Sequence, residues 1–263
     1  AALTEVGGLS PDELGQQIDA AKATCSYLIL DVPDQAALAT IAQAAGDTFI
    51  FCGSSALAEE LSAGWGEPEK TQDPLHVPAN PAKAVFIASG SLMPQSRDQL
   101  DWLKRMGTRS FEFPTGAVVD HACRDDAIES ISADAARVIA AGIDAIVHMP
   151  NDPETVQSMQ AQAQQMGLSV ADLGSLVSTT LAEVVARVVE NSGVTRLAVA
   201  GGETSAAVCA RLGIRRFRVW EEIEAGLPSC LALDGQSMLL VLKSGSFGSS
   251  DFLAKALRYL HQA

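Results

Sequence analysis

Short apolar runs that end in small-residue loops, each followed by a helical pattern, recur along this chain and restrict what it can fold into. Ala84-Val-Phe-Ile-Ala88 runs into Ser89-Gly90-Ser91, Arg196-Leu-Ala-Val-Ala200 into Gly201-Gly202-Glu203-Thr204-Ser205, and Met238-Leu-Leu-Val-Leu242 into Lys243-Ser244-Gly245-Ser246-Phe247-Gly248. Strands that are apolar throughout, rather than alternating, are buried on both faces. Strands alternating with helices imply an α/β fold with a mostly parallel sheet flanked by helices on both faces. In such folds ligands sit beyond the carboxyl ends of the strands, so the strand-to-helix loops are where chemistry is expected.

The rest of the chain follows the same rhythm. Strands are expected at Tyr27–Asp31, Phe49–Cys52, Ala145–His148, Arg215–Trp220 and Leu231–Leu233. Helices are expected at Gln35–Ala45, Ala56–Leu61 with a serine cap, Pro94–Met106, Asp125–Ala141, Pro153–Met166 and Ser250–His261. Between Leu176 and Val189 apolar residues return every four positions, a single stripe that Asn191-Ser192-Gly193 terminates. From Gly64 to Lys83 periodicity stops and four prolines occur. A linker over residues 65–83 therefore divides residues 1–64, a partial second α/β domain, from a larger domain over residues 84–263.

Composition narrows the function. A net charge of −14 excludes a nucleic-acid surface, which requires clustered Lys and Arg. An anionic ligand is still allowed, because backbone N–H groups can hold phosphates on an acidic protein. No apolar run approaches the roughly 20 residues of a membrane span. The five cysteines form no CxxC pair, so a reducing cytoplasm is the expected location and a metal cage is not expected. The four histidines show no paired spacing, and only His121, beside Asp120, stands out.

Each of the three loops carries chemistry that an ordinary turn could also explain. Gly90 permits close backbone approach, Ser91 offers a hydroxyl, and Pro94 suits a first helical position; a capped turn needs the same residues. Gly201 and Gly202 allow a tight turn onto a ligand, with Thr204 or Ser205 as helix cap; a turn packing helix on strand would do so as well. This is neither a Walker A loop, since no GK[ST] follows, nor a GxGxxG dinucleotide fingerprint. Lys243, Ser244 and Gly245 make a plausible polyphosphate cradle, lysine giving charge and amides giving geometry. A solvated lysine on a flexible loop is the alternative.

The pair Gly201-Gly202-Glu203-Thr204-Ser205 and Lys243-Ser244-Gly245-Ser246-Phe247-Gly248, with Gly90-Ser91, Pro94 and Gln99 upstream, resembles the C-terminal nucleotide-binding domain of the four-carbon acid sugar kinase family. The resemblance runs from about Tyr27 to the C-terminus. It implies ATP contacts at Ser91, at Gly201, Gly202, Glu203 and Thr204, and around Ser244 and Gly245, with ATP and Mg²⁺ as cofactors; residue chemistry and loop position make Lys243 the candidate phosphate contact and Glu203 the candidate for Mg²⁺ or a water bound to it. It also implies a threonate, erythronate or 3-oxo-tetronate type of substrate, and leaves a homodimer open.

Departures from the family pattern are Glu203 where Asp is usual, and Met93 and Ser96 where Ser and Thr are usual. The Asp-Asp-x-Thr-Gly-Ala motif that opens the family's substrate-binding domain is absent. The chain thus reads as an excised C-terminal piece that binds nucleotide but turns over poorly alone, its general base lying in the missing domain. A non-catalytic nucleotide-binding or interaction module is the alternative; an oxidoreductase is disfavoured by the missing fingerprint.

Overall fold

A computed structural model describes residues 2–45, 50–66 and 75–263. The chain divides into two compact units, Ala1–Pro74 and Leu75–Ala263.

In the first unit β1 (Ala2–Glu5) and β2 (Leu28–Asp31) pair in parallel, with Ala2 opposite Leu28. A parallel pair needs a crossover, and α1 (Pro11–Lys22) supplies it. A capping box starts this helix: Ser10 N donates to Glu13 Oε2 at 2.9 Å, and Glu13 N donates to Ser10 Oγ at 3.3 Å. Asp34 caps α2 (Gln35–Ala44) through Ala37 N, and α3 (Ser55–Ala63) follows. Ser54 stands at the N-cap of α3 but makes no side-chain cap bond. Val6, Leu14, Ile18, Ala37 and Ile41 form the unit's core. The expected strand Phe49–Cys52 does not form over residues 50–52, and Phe49 lies outside the described residues.

The second unit holds β3 (Phe86–Ser89), β4 (Arg109–Glu112), β5 (Ala145–His148), β6 (Arg196–Ala200), β7 (Phe217–Glu224), β8 (Leu227–Ala232) and β9 (Leu239–Lys243). Their order is β4-β5-β3-β6-β9-β8-β7. The first five are parallel; β8 runs antiparallel to β9, and β7 antiparallel to β8. The sheet is therefore mostly parallel, as its apolar strands imply. The strand β4 and the full length of β7 escape sequence reading because they are edge strands with exposed faces, and edge strands lack the apolar run that marks a buried one.

Helices α4 (Pro94–Arg105), α5 (His121–Ala140), α6 (Pro153–Gln165), α7 (Val170–Ser192), α8 (Gly202–Arg211) and α9 (Phe252–Gln262) cover the sheet. Side chains alternate across a strand, and the two faces have separate cores. Val85, Ile87, Ile146, Ala198, Leu239 and Val241 pack with Leu100 and Leu103 of α4 and with Phe252, Leu253 and Ala256 of α9. Phe86, Ala88, Val147, Leu197, Val199 and Leu240 pack against α5, α6, α7 and α8. Helix α5 begins four residues earlier than expected because the Asp120 carboxylate caps it, accepting from Cys123 N at 3.0 Å. The stripe on α7 is buried from Leu173 to Val189, and the helix ends at Gly193 with φ 69°.

This arrangement creates the crevice. The chain leaves β3 for α4 on one face, leaves β6 for α8 on the other, and leaves β9 for α9 on the first. Adjacent strands that send their chains to opposite faces part at their carboxyl ends, and ligands enter there.

Candidate functional site

The three loops anticipated from sequence follow β3, β6 and β9, which are neighbours in the sheet. The ladder continues one step into them: Gly90 N donates to Ala200 O at 3.1 Å, and Gly201 N donates to Lys243 O at 2.8 Å. The loops also touch through their side chains. A Cβ added to Gly90 would overlap Thr204 Oγ1. One added to Gly201 would lie 3.0 Å from Thr204 Oγ1 and 3.3 Å from Ser91 N, and Gly201 has φ 121°, a region L side chains rarely adopt. One added to Gly245 would lie 2.7 Å from Ser91 Oγ and 2.6 Å from Met93 Cγ. Ser91 is buried between the second and third loops, and its Oγ accepts from Met93 N at 3.3 Å.

The second loop is shorter than its sequence suggests, because α8 already begins at Gly202, with Gly201 as N-cap. Thr204 and Ser205 therefore do not cap the helix; both lie in its first turns and are buried. No acceptor among the described residues takes the N–H groups of Gly202, Glu203 or Thr204, so the positive end of α8 opens on the crevice. Among the described residues nothing lies within 4 Å of a Cβ built on Gly202, so that position faces open space. Glu203 is exposed, with its carboxylate 3.2 Å from a Cβ built on Gly174 of α7 and, among the described residues, no hydrogen-bond or ion-pair partner. Among the described residues no three His, Cys, Asp or Glu side chains converge as a metal cage.

In the third loop Ser244 is exposed and Gly245 half-buried. Lys243 is only 1% exposed, so it is not a solvated surface lysine. Its Nζ donates to Ser96 Oγ at 3.0 Å and to Gly245 O at 2.9 Å. Among the described residues no carboxylate pairs with it. Burial alone pushes this ammonium down from the ordinary 10.5 to about 8. Strand parity explains the placement: Leu239 and Val241 face α4 and α9, and Lys243 is next in that series. Register aligns His148, Ser89, Ala200 and Lys243 as the last rung of four adjacent strands.

Ser96 and Gln99 of α4 have no role in the sequence reading beyond matching or departing from a pattern, yet both are buried against the third loop. The available signal is a pair of polar residues on the stripe that Leu100 and Leu103 continue. Among the histidines, His148 is buried, with Nδ1 3.0 Å from Met149 O, and burial lowers its pKa. His121 makes a surface pair with Asp125 at 3.3 Å. No single helix among the described residues is long and apolar enough to cross a membrane.

Residues 86–253 match the family of nucleotide-binding C-terminal domains. A 3-oxo-tetronate kinase of Cupriavidus necator is 32% identical over 237 residues, which is 88% of this chain and 51% of that protein. A 3-oxo-isoapionate kinase of Paraburkholderia graminis is 30% identical over 239 residues, 86% of this chain and 50% of that protein. The chain thus spans about half the length of these curated relatives. A solved protein of Salmonella typhimurium LT2 superposes with TM-score 0.76 at 22% identity, covering 98% of this chain and 59% of that one, a likeness of fold.

Two outcomes test the geometry. Gly90→Ala should destabilise the second unit by about 1–3 kcal/mol through overpacking against Thr204. Thr204→Ala in the same chain should restore most of that loss, and additive losses in urea unfolding would refute the contact. Lys243→Met should unfold at the same or higher urea concentration than wild type at pH 7, since it removes a buried charge with no carboxylate partner. From pH 8 to 10 the unfolded lysine keeps a proton that the folded one has lost, so wild type should gain stability relative to the variant. A Lys243→Met chain much weaker than wild type at pH 7 would show that the two hydrogen bonds outweigh the desolvation.

Proposed function

The chain belongs to the four-carbon acid sugar kinase family and carries its nucleotide-binding C-terminal domain, and from that premise we propose that it is the ATP-holding part of a phosphotransferase acting on small sugar acids. The observation that carries this reading is a buried lysine that no carboxylate pairs with among the described residues, set beside two loops in which the N–H groups of Gly202, Glu203, Ser246 and Gly248 have no acceptor among those residues. A buried cation with no anion beside it is costly. A polyphosphate arriving at the crevice would provide the missing negative charge.

In this reading the N–H groups at the start of α8 and in the third loop hold the phosphates of ATP, with Ser91 between them. Lys243 supplies positive charge from beneath the loop. Glu203, exposed and without a partner among the described residues, would hold Mg²⁺ or a water bound to it; Mg²⁺ sites at phosphates need only one or two carboxylates besides the substrate. When bound, Mg²⁺ neutralises charge on the phosphate oxygens.

The reaction is an in-line transfer. A hydroxyl oxygen of the sugar acid forms a bond to the γ-phosphorus, the bond to the bridging oxygen breaks, and ADP leaves. The hydroxyl proton passes to a base outside residues 84–263. Acceptor choice also lies outside them, because amides and one lysine recognise phosphate charge and not a carbon skeleton. Relatives named for two different oxo acids match most of this chain at similar identity. A 3-oxo-tetronate, threonate or erythronate type of acceptor is the proposed substrate class.

Calorimetry with a non-hydrolysable ATP analogue and Mg²⁺ should show binding, and Gly202→Val should weaken it by about 1–3 kcal/mol by blocking approach to the amides. The substitution has open space around it, so folding should be intact; undiminished affinity would remove the second loop from the site. Affinity should fall as pH rises through about 8, where the free Lys243 loses its charge, with proton uptake on binding near that pH. Incubated alone with ATP and the acids named above, the chain should give no sugar phosphate, whereas protein of its relatives' full length should. Failure of the longer protein on every such acid would sink the kinase reading.

A further inference from the structure

We propose that Gln99 is a positioning residue for the phosphate site, resting on the reading above: from inside α4 it turns the carbonyls of the third loop inward, so that amide N–H groups face the ligand. Gln99 is 1% exposed, and its Nε2 lies 3.2 Å from Phe247 O, 3.3 Å from Gly248 O and 2.8 Å from Ser249 O. One turn earlier on the same helix, Ser96 Oγ donates to Gly245 O at 3.0 Å, and Lys243 Nζ donates to that same oxygen at 2.9 Å. The carbonyls of Gly245, Phe247, Gly248 and Ser249 are thus drawn toward α4 by three side chains.

The consequence follows from the peptide bond. In a trans peptide the C=O and the following N–H point in opposite directions across one rigid plane. Pinning Gly245 O toward α4 therefore aims the N–H of Ser246 away from it. Pinning Phe247 O does the same for the N–H of Gly248. No acceptor among the described residues takes either N–H, nor that of Gly245. The neighbouring amides are already used: Phe247 N donates to Ser244 O at 3.3 Å, and Ser249 N to Glu224 Oε2 at 3.0 Å. Glu224 is itself fixed by Lys255 at 2.6 Å, which anchors the far end of the loop.

The amide of Gln99 can serve in only one orientation. Its nitrogen offers two hydrogens to a cluster of three acceptors, whereas its oxygen turned the same way would face three carbonyls. A carboxylate or an apolar side chain of similar length would hold none of them. The outward pair of amides is a concave donor set suited to a polyphosphate oxygen. Lys243 backs this set with charge, and Gln99 determines its direction.

The test is the amide spectrum of the ¹⁵N-labelled chain during titration with the ATP analogue. In wild type the Ser246 and Gly248 resonances should move downfield as the analogue binds. In Gln99→Met those two should already be displaced in the free protein, and affinity should drop tenfold or more, while the Gly202 and Glu203 amides still respond. Gln99→Met binding as tightly as wild type, or wild type binding with the Ser246 and Gly248 amides unmoved, overturns the proposal and leaves the nucleotide reading standing. If wild type takes no ATP analogue, the nucleotide reading fails. Titration with inorganic triphosphate then decides this one, since binding that moves the same two amides sustains it and no binding ends it. The wild-type titration decides between these outcomes even if Gln99→Met does not fold.

Discussion

A parallel sheet covered on both faces has no wet side, so its polar side chains are confined to the strand ends. That constraint organises the second unit. From Val85 to Ile87, from Leu197 to Val199 and from Leu239 to Val241 every side chain is fully buried among apolar neighbours. At the next position on the α4 face the sheet turns polar, with His148, Ser89 and Lys243 on the last rung. Helix α4 repeats the transition, with Ser96 and Gln99 at its start and Leu100 and Leu103 beyond. The polar ends of helix and sheet lie over one another, which lets a lysine ammonium reach a serine on α4 from within a strand.

Glycine does the complementary work at this edge. Three loops can crowd into one crevice only if their backbones approach more closely than Cβ atoms permit. Gly90 against Thr204, and Gly245 against Ser91 and Met93, are the contacts where this is so. Gly202 is different, since no atom of the described residues lies within 4 Å of a Cβ built there. Among the described residues its lack of a side chain has no packing cause, and in the proposed reading a ligand in the crevice supplies one.

Much of this was legible in sequence because burial on both faces leaves an unmistakable apolar run. The strands before the three loops, their order along the chain and the long stripe of α7 follow from that alone. The edge strands were less visible. In Arg109-Ser-Phe-Glu112 and in Phe217–Glu224 exposed positions dilute the pattern, and pairing with a neighbour makes the strand. Helix α1 opens on a Ser10-x-x-Glu13 capping box, a signal legible in the sequence but weaker than the apolar runs downstream. Thr204 misled for a physical reason: a threonine after two glycines can cap a helix, but here Gly201 takes the cap position with a backbone only glycine tolerates, and Thr204 falls inside.

Lys243 shows where residue type and position give different answers. As a residue type it suggested either a phosphate contact or a solvated side chain. Its parity with Leu239 and Val241 instead predicts an inward side chain, and that is what the fold enforces. A protein selected for stability alone would place a methionine there, since two hydrogen bonds to neutral oxygens compensate poorly for a desolvated ammonium. Retaining the cation is reasonable only if something negative comes to it. The depression of its pKa and the outward amides of the third loop are therefore two consequences of one arrangement. The same Gly245 carbonyl that accepts from the lysine turns the next N–H toward the crevice. The chain thus holds its positive charge beneath the loop, with the N–H groups of Ser246 and Gly248 above it, so in the proposed reading an anion is bound without a cation standing exposed in its absence.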